Sequence, residues 1–102
     1  MLNVEQGDLL RITGTPYPVI VVSNNYFNAS GKVIVCPILK NAPLGPLHIP
    51  LDMEQIGGFI LCAQVKYIDL SRKRFTKIGS VPYYDIPNIS DAVMGIFDYQ
   101  VF

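Results

Sequence analysis

Histidine is the only side-chain type that normally titrates near neutral pH, and this sequence contains one, His48. It is therefore the first candidate for a general acid or base. Leu47, Ile49 and Leu51 alternate with it in a short apolar strand, so His48 is expected to point to the face opposite these three residues. This pattern favours an exposed or rim histidine over a catalytic one.

Cationic side chains form the second group that can do chemistry. Eight Lys and Arg balance eight Asp and Glu, so no net positive charge indicates nucleic-acid binding. Five of the eight cations nevertheless fall within twelve residues: Lys66, Arg72, Lys73, Arg74 and Lys77. From Asp85 onward the chain carries only acidic charges. The cluster predicts either a solvated turn or a phosphate-binding surface, and the sequence leaves both open.

The remaining motifs argue against cofactor and metal chemistry. Cys36 and Cys62 each lie within an apolar run, where a free thiol behaves as a small buried hydrophobe. The sequence has no Gly-rich phosphate loop, no paired Cys or His ligand spacing and no nucleophile elbow. We therefore expect no cofactor, no metal site and two buried cysteines.

Glycine and proline divide the chain into short strands that would position these residues. The predicted strands are residues 7–12, 18–23, 32–38, 47–51, 59–69 and 75–81. Pro37 falls near the end of the third strand, which suits an edge or a bulge. In the long fifth strand, alternation places Gln64 and Lys66 on the same face.

After the last strand the apolar period becomes helical. We predict one C-terminal helix from Pro87 to about Tyr99, with Asp85 or Ser90 able to cap its first turn. Five or six short strands and one helix predict a mainly β fold, a small SH3-like antiparallel barrel, because closure protects strand edges. The length of 102 residues predicts a single domain over residues 1–102.

The N-terminal residues show no signal-peptide pattern, and no apolar run is long enough to suggest a membrane span. A cytoplasmic protein without membrane contact is therefore expected.

The order of these pieces resembles the MazF/PemK toxin family, which is related to CcdB and Kid. Four segments carry the likeness: Gly7-Asp8-Leu9, Pro18 to Ser23 with Phe27-Asn28, Val35 to Ile38, and Gln64 to Asp69 followed by Arg72 and Gly79. The resemblance implies a homodimeric SH3-like barrel, the toxin of a type II toxin–antitoxin pair, which cuts single-stranded messenger RNA without a metal.

The same resemblance shows where this sequence departs from the family. Tyr17 stands where the family has Arg, Leu39 where it has Thr, and Ala63 where an acidic residue is common. A phenol cannot supply the permanent positive charge of a guanidinium. Cleavage would still need a base for the 2′-hydroxyl, an acid for the leaving oxygen and a cation near the phosphate. The catalytic residues are therefore not assigned.

The candidates for binding RNA or a protein partner have different alternatives. Tyr17 is expected either to stack on a base or to pack in the core or a dimer contact. Gln64 is expected to contact RNA or to make a structural hydrogen bond. The full set of candidates is Tyr17, Lys40, Gln64, Lys66, Arg72, Lys73 and Arg74.

Two functions follow from different classes. The first is a toxin-family protein that binds single-stranded RNA and cleaves it with groups other than those usual in the family. The second is a catalytically inactive barrel that acts by binding a protein partner such as an antitoxin peptide. Gyrase poisoning in the manner of CcdB ranks last, because the chain contains no Trp.

Overall fold

The computed structural model describes residues 3–42, 45, 47–53 and 56–97. Its elements follow the glycines and prolines of the sequence closely. The strands are β1 (Asp8–Ile12), β2 (Val19–Val21), β3 (Lys32–Leu39), β4 (His48–Asp52), β5 (Gly57–Leu61), β6 (Lys66–Asp69) and β7 (Phe75–Ser80). The helices are α1 (Asn25–Asn28) and α2 (Ile86–Met94), with 3₁₀ turns at Leu70–Arg72 and Tyr83–Asp85.

All strand pairs are antiparallel, in the order β4-β5-β3-β2-β1-β7, with β6 also paired to β3. The prediction of a mainly β fold with a C-terminal helix is confirmed. The prediction of a closed barrel is wrong, because among the described residues the outer strands β4 and β7 do not pair with each other.

Closure is unnecessary because both faces of the central strands are covered. Leu9 and Ile20 belong to a cluster that also contains Ile89 and Val93 of α2. Their sequence neighbours belong to a second cluster on the other side, which β6 and the following turn complete through Ile68, Leu70 and nearby side chains. The apolar run in β2 is therefore buried on both faces, as its composition predicts.

The predicted fifth strand is in fact two strands, β5 and β6, which makes seven strands among the described residues. β5 pairs with Ile38 and Leu39, whereas β6 pairs with the first half of β3. The amide of Ile38 donates to Pro18, on the β2 side, so the backbone of Pro37 faces the opposite side. Because proline has no N–H, the ladder is interrupted there, and the chain turns at Cys62 and Ala63.

The predicted C-terminal helix is confirmed, with different bounds. It begins at Ile86 and ends at Met94, with Pro87 in the first turn as expected. The capping prediction is wrong: Asp85 makes no side-chain cap hydrogen bond and Ser90 lies inside the helix. The predicted end near Tyr99 lies outside the described residues.

The short helix α1 occupies what the sequence predicts to be an irregular connection. Asn24 caps it, accepting a hydrogen bond of 2.9 Å from the amide of Phe27. The buried Asn28 contacts the hydroxyl of Ser23, and that hydroxyl also accepts a 2.9 Å hydrogen bond from the amide of Ile34. These bonds fix α1 against β3 and hold Phe27 at the surface.

Candidate functional site

The connection between β5 and β6 forms the centre of the candidate site. Cys62 is fully buried, and its amide donates to the carbonyl of Leu47 at 3.0 Å. The amide of Gln64 donates to Leu61 at 3.1 Å, which closes a tight turn. The turn leaves the side chains of Gln64 and Val65 exposed between three depressions of the surface.

The first depression, which we call the cationic groove, has a volume of about 210 Å³. It lies between the β1–β2 loop and the start of β6. Its polar and aromatic residues are Tyr17 and Thr15 from the loop, Gln64 from the connection and Lys66 from β6. Val19, Val35, Pro37, Val65 and Ile68 form the rest of its lining.

Tyr17 is half-buried, because one part of its ring packs against the second apolar cluster. The same side chain also lines the cationic groove. Tyr17 can therefore pack against the core and also present part of its ring to a ligand in the groove.

The second depression, the polar cavity, has a volume of about 570 Å³ and adjoins the cationic groove at Gln64. Lys40, Asn41 and His48 supply its polar groups. Leu39, Ala42 and Leu61 complete its lining. Among the described residues, no Asp or Glu lines either depression, so Lys40 and Lys66 have no carboxylate beside them in that part of the lining.

The third depression, the apolar groove, has a volume of about 300 Å³ and meets the cationic groove at Val65. Phe27 of α1 forms one side, and Val93 and Met94 at the end of α2, with Phe97 in the turn after it, form the other. Phe97 is 66% exposed and Met94 56% exposed. An apolar patch of this kind is typical of a surface that binds another protein.

The predicted binding residues are therefore brought together only in part. Tyr17, Gln64 and Lys66 line the cationic groove, and Lys40 lines the polar cavity with Gln64. The expectation that Gln64 and Lys66 share a strand face is wrong, because Gln64 lies in the connection before β6. They share the groove because the turn, rather than strand alternation, directs Gln64 toward it.

The basic turn formed by Arg72, Lys73 and Arg74 lies outside the lining of all three depressions. All three side chains are exposed. Nε of Arg72 is 3.7 Å from the carboxylate of Asp69. Hydrogen bonding from the Ser71 hydroxyl is the largest influence that lowers the pKa of Asp69, with further help from the Ser71 amide and from Lys32 and Arg72. The geometry matches the alternative of a solvated turn.

The three positions that the sequence resemblance singled out, Tyr17, Leu39 and Ala63, lie in the same region. Tyr17 lines the cationic groove and Leu39 the polar cavity. Ala63 is exposed in the turn directly before Gln64.

Sequence reasoning missed two contributors. Thr15 and Asn41 lie in loops, where no periodic pattern assigns a direction to a side chain. His48 is half-buried, in agreement with the expected rim position, and lines the polar cavity as well. Within residues 3–97, apart from the five positions not described there, no group of three or more His, Cys, Asp or Glu residues is placed to hold a metal ion. None of the described helices is long and apolar enough to cross a membrane.

Comparison with known proteins gives one family and a consistent set of folds. A family model described as the PemK-like, MazF-like toxin of type II toxin–antitoxin systems matches residues 5–97. No curated protein matches the sequence.

Among solved structures, the fold is similar to a chain of the MazE–MazF complex from Deinococcus radiodurans, with a TM-score of 0.83 and 18% identity over 95% of this chain and 98% of that one. The fold is also similar to an endoribonuclease in complex with its cognate antitoxin from a Mycobacterial species, with a TM-score of 0.79 and 15% identity over 92% of this chain and 94% of that one. For the Mycobacterium tuberculosis toxin MazF-mt6 the TM-score is 0.73 and the identity 16%, over 93% of this chain and 99% of that one. At these identities the likeness establishes the fold.

Proposed function

Since this chain belongs to the PemK-like, MazF-like toxin family of type II toxin–antitoxin systems, we propose that it is the toxin of such a pair and binds single-stranded RNA in the cationic groove and polar cavity. We expect it to act in the cytoplasm, where messenger RNA is available. Binding requires no metal and no cofactor.

The observation that carries this proposal is the junction at Gln64. This side chain lines both depressions, so the depression with Tyr17 and Lys66 adjoins the one with Lys40. Of the residues that the structure describes, two lysines and no carboxylate line these two depressions. A polyanionic strand is therefore attracted along both depressions.

The residue types suit a flexible strand better than a duplex. The ring of Tyr17 offers a face on which an unpaired base can stack, an interaction worth about 1–3 kcal/mol per base. Gln64 offers an amide that can donate to and accept from a base edge. Lys40 and Lys66 supply charges for backbone phosphates at either end.

The apolar groove favours a second binding function. Its exposed Met94 and Phe97 would be covered by another protein, and we propose a second copy of this chain, giving a homodimer. An antitoxin segment is then proposed to compete with RNA at the cationic groove, where acidic side chains would pair with Lys66 and Lys40. The similarity to toxins solved with their antitoxins supports this pairing.

Affinity for a fluorescently labelled single-stranded RNA, measured by anisotropy in EDTA at fixed salt, tests the RNA proposal. We expect Tyr17→Ala to raise Kd by about 5-fold to 150-fold, the range that corresponds to loss of one stacked base. Lys66→Met should raise Kd and also make the salt dependence less steep, because one phosphate contact is lost.

Lys73→Met is the matched control, since it removes the same charge from the basic turn outside the grooves. Its affinity should stay close to that of the unmodified protein. Equal effects of Lys66→Met and Lys73→Met, or no binding by the unmodified protein, would reject the proposed site.

A further inference from the structure

Cleavage of RNA bound in this site would need a group that accepts the proton of the ribose 2′-hydroxyl. The side chains of Tyr17, Leu39 and Ala63 do not supply the Arg, Thr and carboxylate that the sequence resemblance leads us to expect at these positions. The chain's own residues around the bound strand therefore have to be searched for a base. This inference rests on the proposed RNA-binding function.

The strand register directs His48 into the polar cavity. His48 pairs with Leu61 of β5, and Phe59, two residues earlier on the same strand, pairs with Leu39. Residues two apart on a strand project from the same face, as do directly paired residues. His48, Leu61 and Leu39 therefore share one face, and all three line the cavity that contains Lys40.

The backbone at Gly45 positions the imidazole ring. Its carbonyl accepts a hydrogen bond of 3.1 Å from the amide of His48. A Cβ atom added at Gly45 would lie 3.2 Å from Nδ1 and 3.3 Å from Cε1 of His48. The ring is thus held closely against Gly45 on one side and borders the cavity.

We propose that His48 is the general base of a metal-independent RNA cleavage and that Lys40 binds the RNA backbone beside it. The imidazole takes the proton of the 2′-hydroxyl while the 2′-oxygen forms a bond to the adjacent phosphorus. The bond from phosphorus to the 5′-oxygen breaks, and that oxygen takes a proton from water. The products are a 2′,3′-cyclic phosphate and a 5′-hydroxyl, and His48 returns its proton to solvent. His48 and Lys40 thus take over roles that the sequence resemblance would assign to polar groups at the positions of Tyr17, Leu39 and Ala63.

The test compares the unmodified protein with His48→Asn on a long single-stranded RNA in EDTA. We expect discrete fragments with 2′,3′-cyclic phosphate ends, detected by mass spectrometry, and a rate at least about 100-fold lower for the variant. Its RNA affinity should remain within about threefold, because a general base contributes mainly to the chemical step. Added imidazole should restore part of the cleavage in His48→Gly, a result that a structural role would not give.

Lys73→Met, purified in the same way, should cut at the normal rate and so exclude a contaminating nuclease. The same oligonucleotide made with 2′-deoxyribose should bind and remain intact. If His48→Asn fails to fold, Gly45→Ala serves instead, since its methyl group displaces the ring, and we expect cleavage to fall about 10-fold with binding retained.

Equal cleavage by the unmodified protein and His48→Asn would overturn the assignment. RNA that binds in the groove but stays intact would overturn it too, while leaving the proposed binding function in place. Absence of RNA binding by the unmodified protein would reject both.

Discussion

The Nζ atom of Lys77 lies 3.2 Å from Oδ1 of Asp8, and this ion pair joins β7 to the first residue of β1. Asp8 is only 2% exposed, whereas the side chain of Lys77 is 49% exposed. The other carboxylate oxygen accepts a hydrogen bond of 2.8 Å from the amide of Glu5. Asp8 therefore fixes both the N-terminal turn and the edge strand of the sheet.

Replacing Asp8 with Asn should lower the free energy of unfolding by about 1–3 kcal/mol, because it leaves a buried polar group without its charged partner. Urea unfolding followed by circular dichroism measures the change. Asp91→Asn, on the exposed face of α2, is the matched control and should be nearly neutral. The account of this ion pair would be wrong if both variants unfolded at the same urea concentration.

Gly58 is required where β5 approaches the end of β3. Its φ is +139°, and an added Cβ would lie 2.5 Å from the carbonyl oxygen of Leu39. Backbone strain at this φ costs about 1–3 kcal/mol, and the clash with Leu39 adds to it. Gly58→Ala should therefore lower the free energy of unfolding by more than that amount. The neighbouring Gly57→Ala, whose nearest contact would be an ordinary 3.8 Å, should have little effect in the same thermal unfolding measurement. Similar losses in the two variants would contradict this explanation.

The sequence predicts most of the strands because glycines, prolines and β-branched runs mark them directly. The order and spacing of four short segments also predict the family correctly. The break between β5 and β6 could not be predicted, because its cause lies on a different strand. Pro37 of β3 offers no N–H to the neighbouring segment, and the pairing with β3 is interrupted there. The alternation pattern treats a strand as isolated and cannot register a missing donor on its neighbour.

The candidate site was predictable to a similar degree. Tyr17, Gln64 and Lys66 are among the candidates named from the sequence, and all three line the cationic groove, although the strand alternation expected for Gln64 is wrong. Arg72, Lys73 and Arg74 are close to Lys66 in sequence but not part of its groove. Sequence proximity indicated a cationic surface, but the direction of β6 and the 3₁₀ turn after it decide which cations line the groove.

The buried thiols should make stability fall in alkaline solution. Burial, with a smaller contribution from Cys62, raises the pKa of Cys36 from its ordinary 9.0 to about 12, and burial raises the pKa of Cys62 to about 11. The unfolded chain loses these protons near pH 9, whereas the folded protein keeps them. Their contribution to stability is therefore complete below pH 9 and is lost as the pH rises through 11 to 12.

The measurement is the midpoint of urea unfolding at pH 8 and at pH 10.5. The unmodified protein should lose more stability between these pH values than the double variant Cys36→Ala with Cys62→Ala. The comparison cancels the titration of tyrosines and lysines, which both proteins share. An equal loss in the two proteins would show that the thiols are not responsible.

The apolar groove predicts self-association that depends on Phe97. Phe97→Glu places a charge in the patch formed with Phe27 and Met94, so sedimentation equilibrium should show a shift from dimer toward monomer. Tyr84→Glu changes another exposed aromatic residue, 69% exposed and outside this groove, and should remain dimeric. A monomeric unmodified protein, or equal behaviour of both variants, would contradict the proposed dimer surface.

The most direct test of the central claim is to map amide chemical shifts by NMR as a single-stranded oligonucleotide with 2′-deoxyribose is added, since this strand can bind but cannot be cut. The account predicts that the largest changes fall at Tyr17, Lys40, Gln64 and Lys66, on both sides of the junction between groove and cavity. Changes confined to residues 71–74, with those four amides unaffected, would contradict it.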